Sequence, residues 1–234
     1  MTTHNVHGSR SSFRFRTWVL WGCLLCFLPF QMGCLNNILL LGYLIGGPPS
    51  IEPDFDSQTK KSFTGKGKKV VVLCYASDKV KWDYSKIDRE LAAHVSYRLR
   101  DHRVHVIDPD AVNGWIDQNP DWTKPEELGA DAEADFVVYV EIQEFSLYEE
   151  HSSNLYRGRT KALVSVYEMD GDQGEVIYSK DIDSKYPLHQ PVATSERPEY
   201  AFKQLYMTRL SEEVGRLFYE HYAGDDIPDG ALSE

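Results

Sequence analysis

The residues best placed by type to do chemistry are a pair of carboxylates and an aromatic–arginine cluster. Asp78 closely follows the apolar run 70–76, and Asp108 directly follows the apolar run 104–107. If both runs are parallel strands, the two acids stand near strand carboxyl ends. There α/β proteins place their ligands, and paired carboxylates can act as general acid and base. Helix capping accounts equally well for Asp108, because Pro109 and Asp110 follow it. Tyr156-Arg157-Gly158-Arg159 sets one aromatic beside two guanidiniums that could recognise a carboxylate or phosphate. Cross-strand pairing with the chain's many acids is the competing role.

Other motifs fail on spacing. Gly65-Lys66-Gly67-Lys68-Lys69 has phosphate-loop composition but precedes a strand, whereas such a loop must follow one so that helix N-terminal amides meet the phosphate. Asp170-Gly171-Asp172 starts like a calcium loop, yet the bidentate Glu at the twelfth position is missing, so a hairpin turn is expected. None of the eight histidines forms the His–Glu–His spacing of a zinc hydrolase, and His102 and His105 flank a strand start. Cys74 lies inside an apolar run and reads as a buried thiol. No catalytic set, no metal site and no cofactor is expected from these residues.

The elements that must position these groups begin with an unusual N-terminus. Arg10, Arg14 and Arg16 precede 31 residues, 17–47, without a charged side chain. A basic region followed by an apolar core is the pattern of a secretory signal. Within it Gln31-Met32-Gly33-Cys34 resembles the lipobox of bacterial lipoproteins, in which a small residue precedes the cysteine that receives the lipid, for instance palmitate, and becomes the mature N-terminus. Gly33 and Cys34 match that pattern; Gln31 and Met32 depart from the usual residues. The same stretch exceeds the roughly 20 residues that span a bilayer, so an uncleaved anchor is the alternative. Either way the arginines stay inside and the domain faces the periplasm or exterior.

All 36 acidic residues but only 22 of the 25 basic ones lie beyond residue 47. The resulting net charge of −14 repels phosphate backbones and anionic headgroups, which disfavours nucleic acid and leaves cations and cationic surfaces open. Domain organisation is therefore expected as a signal peptide over 1–33, an apolar leader and linker over 34–67, an α/β domain over 68–224 and a tail over 225–234.

Within the domain, 69–76 and 104–107 read as parallel strands around a helix in which Ile87, Leu91, Val95 and Leu99 recur every fourth residue, with Asp83 or Ser85 as its cap. A short helix follows Asp108, and another spans 125–132. The run 135–148 is a strand whose apolar parity switches after Ile142, which predicts a bulge near Glu144. The runs 159–169 and 175–183 form a hairpin, and Phe202, Tyr206, Leu210, Val214, Phe218 and Tyr222 mark a last helix over 198–222. The order β-α-β-α-β-β-β-α gives an α/β (α+β) fold with a mixed five-stranded sheet and helices packed on it.

This order resembles the envelope lipoproteins related to the curli-export lipoprotein CsgG, whose domain is distantly shared by the N-terminal domain of TolB. The resemblance rests on Cys34, Lys69-Val70-Val71-Val72-Leu73, Leu91-Ala92, Val95, Val104-His105-Val106-Ile107-Asp108, Ala134-Asp135-Phe136-Val137-Val138 and the last helix. It implies a non-enzymatic periplasmic domain, anchored to the membrane through an N-terminal lipid or helix, that assembles with itself or with other envelope proteins. An anchored enzyme or ligand-binding protein using Asp78 and Asp108 is the alternative.

Overall fold

The computed structural model describes residues 49–65 and 67–222. A mixed five-stranded sheet forms its centre, as the sequence pattern predicts, with six helices among the described residues. Strand β1 (Ser50–Ile51) and helix α1 (Asp54–Thr59) open the chain; β2 (Val70–Ala76), α2 (Asp78–Asp83) and α3 (Ile87–Asp101) follow. Helices α4 (Pro109–Gln118) and α5 (Pro125–Asp131) precede the long strands β3 (Phe136–Tyr148), β4 (Leu155–Asp170) and β5 (Gln173–Tyr186). The short β6 (Val192–Ala193), α6 (Glu199–Gly215) and β7 (His221–Tyr222) complete it. β2 and β3 are parallel, β3, β4 and β5 are successive antiparallel neighbours, and β6 pairs with the start of β4.

One face of this sheet is closed by α3 and α6. Ile87, Leu91, Val95 and Leu99 of α3 are all fully buried, as are Tyr206, Leu210 and Val214 of α6. They meet Val70, Val72 and Ala76 of β2 and Val138, Val140 and Ile142 of β3 in one continuous core. Pairing shifts register between Ile142 and Glu144, leaving Gln143 as the extra residue. That bulge is what returns Phe145 and Leu147 to the core face after the parity switch seen in the sequence. Gly158 is required here by packing, because a Cβ would lie 2.4 Å from the Tyr206 ring.

Four expectations are corrected. Residues 50–65, read as linker, belong to the domain: α1 seats Phe55 in the core, and Phe63 follows it, their rings 4.6 Å apart and both against Phe136. The run 104–107 is not a strand of the sheet. It makes one parallel bridge, Val70 to Val106, held by Val70 N–H to the His105 carbonyl and Ile107 N–H to the Val70 carbonyl, before Pro109 turns the chain into α4. The fifth strand is β6 instead. The last helix stops at Gly215, where the chain turns back with Tyr219 packed on the glycine, and Tyr222 pairs with Ser50. Lys86, without a side-chain cap bond, starts α3 in place of Asp83 or Ser85.

Candidate functional site

Asp78 is the first residue of α2, after Ser77, and Asp108 caps α4. The Asp108 carboxylate accepts the Asp110 amide at 2.9 Å and stands 3.5 Å from the Arg100 guanidinium. The capping role is thus realised, and neither acid lines either cleft described below. Tyr156 is buried and stacks on Phe202 at 4.8 Å. Arg157 is buried too: it pairs with Glu149 at 2.9 Å and donates to the His189 carbonyl at 3.1 Å. Arg159 pairs with Glu150. Both guanidiniums are therefore engaged in joining strand ends to neighbouring loops.

The basic run before β2 is a clamp rather than a phosphate loop. Lys68 Nζ lies 2.8 Å from the Asp135 carboxylate, which also accepts the Lys69 amide at 2.8 Å. The Lys68 hydrogen bond and then the Lys69 amide hold the Asp135 pKa below its ordinary value, against a smaller opposing effect of burial. Asp170-Gly171-Asp172-Gln173 is a two-residue hairpin turn, with Gly171 at φ 63° where a left-handed conformation is needed. Cys74 is buried and unpaired, its thiol pKa pushed up by burial. His102 stacks on Tyr219 with ring centroids 3.5 Å apart. Among the described residues, no group of three His, Cys, Asp or Glu side chains is placed to hold a metal ion.

Two clefts were not foreseen in the sequence. One, of about 460 Å³, opens beside the β3 bulge; Lys79, Asp83, Glu144, Phe145, Arg159 and Lys161 contribute to its wall. Its cations and anions are mixed, and Lys161 is paired with Glu144 at 3.2 Å. The bulge itself was legible in the sequence, but the cleft depends on α2 arriving beside it. The second, of about 660 Å³, lies between α4, α5 and the β4–β5 turn, with Trp115, Glu126, Asp131 and Asp172 in its wall. The Trp115 indole donates to Asp131 at 2.7 Å.

The second cleft borders the sheet face opposite α3 and α6. Residues in register across β2, β3, β4 and β5 form successive rows on that face. Val71, Val137, Tyr167 and Val176 make the first; Leu73, Tyr139, Ser165 and Ser179 the second; Tyr75, Glu141, Leu163 and Asp181 the third. Helices α4 and α5 cover the β2 end, so that Val71, Leu73 and Val137 are fully buried. Beyond them Tyr139, Tyr167 and Leu163 are half-buried, while Tyr75 and Val176 are 37% and 49% exposed. Edge-to-face contacts run from Tyr75 to Trp122, on to Tyr139 and then to Tyr167, with centroids 6.2 to 6.4 Å apart.

No protein-family model matches the chain, and comparison with curated proteins gives no match. Comparison with solved structures gives remote likenesses. The lipoprotein GNA1162 from Neisseria meningitidis is 14% identical, with 63% of this chain and 98% of that one covered at a TM-score of 0.36. The hypothetical protein CT253 from Chlamydia trachomatis is 20% identical, covering 64% and 91%, with a TM-score of 0.40. A minor lipoprotein from Acinetobacter baumannii is 11% identical, covering 64% and 90%, with a TM-score of 0.28. Bacterial lipoproteins thus stand among the structural neighbours, and none of these likenesses assigns an activity.

The lipid-acceptor candidate Cys34, the signal and leader up to residue 48 and the tail 225–234 lie outside the described residues. No helix among the described residues is long and apolar enough to cross a membrane.

Proposed function

We propose that this chain is a membrane-anchored bacterial envelope protein whose acidic α/β domain works by protein–protein contact, as an assembly, secretion or scaffold component. One observation carries the anchoring: three arginines and then 31 uncharged residues end just before the domain begins at Ser50. Lipidation at Cys34 is the form of anchor we favour, because Gly33-Cys34 fits the end of a lipobox. Contact rather than catalysis is supported by how the candidate groups are used. Asp108 caps a helix, Arg157 and Arg159 pair with Glu149 and Glu150, and the wider cleft is bordered by an open sheet face. The rival reading, an anchored enzyme using Asp78 and Asp108, draws no support from the two clefts described, since neither acid lines them.

Intact-mass analysis of the membrane-extracted protein beside a Cys34→Ser variant tests the anchor. The expected result is loss of residues 1–33 plus an acyl mass that disappears in the variant. A full-length, unmodified mass would overturn lipidation and make residues 17–47 a membrane-spanning anchor.

A further inference from the structure

The side chains of the open sheet face combine two kinds of group that favour the same ligand. Tyr75, Tyr139 and Tyr167 offer aromatic rings across three strands, Glu141 and Asp181 share the Tyr75 row, and Asp183 stands on the same face in the next. None of these three carboxylates has an ion-pair partner among the described residues. The contrast with the rest of the domain is informative. Lysines and arginines elsewhere are largely matched to acids, for example Lys81 with Asp88, Lys203 with Glu90 and Arg98 with Glu212. Glu141 and Asp181 thus leave unpaired negative charge beside the rings, while Asp183 stands opposite Lys161 across the strands.

At the margin of that side, Glu126 adds a buried carboxylate oxygen without a hydrogen-bond partner, in the wall of the 660 Å³ cleft. The cleft also holds Asp131 and Asp172 against the single lysine Lys124. A cationic side chain already uses this surface: Lys81 Nζ sits 5.3 Å from the centroid of Tyr75.

We propose that this half-covered face, from Tyr75 and Glu141 across to Asp181 and down to the Trp115 cleft, docks a basic polypeptide segment of a partner protein. This deepens the contact reading given above and rests on it. A guanidinium is the group that uses both features at once, stacking on an aromatic ring and pairing with a carboxylate through its planar fork. The dimensions suit an extended chain. Strands lie about 4.8 Å apart, so three intervals carry the Tyr75 row about 14 Å to Asp181. An extended peptide presents side chains to one face every 6 to 7 Å or so and could set two basic residues along that row. Anionic partners are repelled by the same charges.

The test uses the full chain in nonionic detergent, titrated with a short fluorescein-labelled peptide of alternating arginine and serine, read by anisotropy. The proposal expects saturable binding that weakens about tenfold in a Glu141→Gln/Asp181→Asn double variant and by a similar factor in Tyr75→Ser. It also expects no change in Asp101→Asn, an acid on the far side of the sheet at the end of α3. Thermal unfolding of each variant separates lost binding from lost fold.

Equal affinity in all variants overturns the proposal. So does an equal loss in Asp101→Asn, which would mean bulk charge alone, and so does full competition by spermine at matched charge. Binding of a glucosamine oligomer without binding of the peptide would replace the polypeptide by a cationic polysaccharide. These outcomes are independent of the mass measurement on Cys34, so a failure here leaves the anchor standing and a failure there leaves the docking face standing.

Discussion

The two faces of the sheet are built from the same strands and differ in how they are finished. On the α3–α6 face, long helices with apolar residues at every fourth position seal the sheet, and even the polar Thr160 and Ser184 are buried there. Thr160 accepts the Tyr206 hydroxyl at 2.7 Å, so this buried hydroxyl of β4 is satisfied from the helix. On the other face, α4 and α5 are 10 and 7 residues long, and α5 meets β5 at the strand's start, where Glu126 packs against Gly174, while Val176 beyond it is left exposed. What is left there is tyrosine, leucine, serine and carboxylate. A face that is only half sealed must tolerate water, and tyrosine does so because its ring packs while its hydroxyl stays wet.

The largest expected effect comes from breaking the sealed face. Leu91 is fully buried in the middle of α3, so Leu91→Ala leaves a cavity that rigid neighbours on β2 and α6 do not fill. A loss of about 3 kcal/mol in denaturant unfolding is expected. A loss under about 1 kcal/mol would mean that α3 is loosely seated and that the two faces differ little in packing.

How much of this was legible in the sequence follows from which contacts are local. The spacing of Ile87, Leu91, Val95 and Leu99 specified α3, because a helical stripe is written in neighbouring turns. The parity switch after Ile142 announced the bulge, and Asp170-Gly171 announced the hairpin. Phe55 and Phe63 were hidden because two isolated aromatics among polar residues carry no period; only their meeting with Phe136 and Tyr178 shows them to be core. Val104 to Ile107 has strand composition, yet pairing depends on where Pro109 sends the chain. Phe218 and Tyr222 kept the four-residue spacing past Gly215, so the end of α6 was masked by a buried turn. Asp108 was correctly weighed as a cap. The open face was invisible, because it is set by register across four strands and by what α4 and α5 fail to reach.

A smaller effect concerns the point where both faces begin. Asp135 precedes β3 and clamps the chain before β2 through Lys68 and the Lys69 amide. Its folded pKa is lowered, so the contribution is present above the unfolded value near 4 and is lost as the pH falls through the folded value. Asp135→Asn is expected to cost about 1 kcal/mol at neutral pH, with the difference from the unmodified chain shrinking in acid. A difference that stays constant from neutral to acid pH would show that the amide replaces the carboxylate fully and that charge contributes nothing to the clamp.

The smallest expected effect on stability is also the one that bears most directly on the open face. Leu163 stands between Glu141 and Asp181 in the third row, half-buried where its α3-face counterparts are sealed. Leu163→Ala removes a side chain that is already partly in water, so unfolding should shift by only about 0.5 kcal/mol. The same variant is expected to weaken the arginine peptide measurably, since an apolar contact at the centre of a charged surface excludes water from its neighbours. A cost near that of Leu91→Ala would show that the row is covered in the folded protein, by another part of the chain or by a second copy. The surface would then be an interior, and the asymmetry between the two faces would be one of partner rather than of packing.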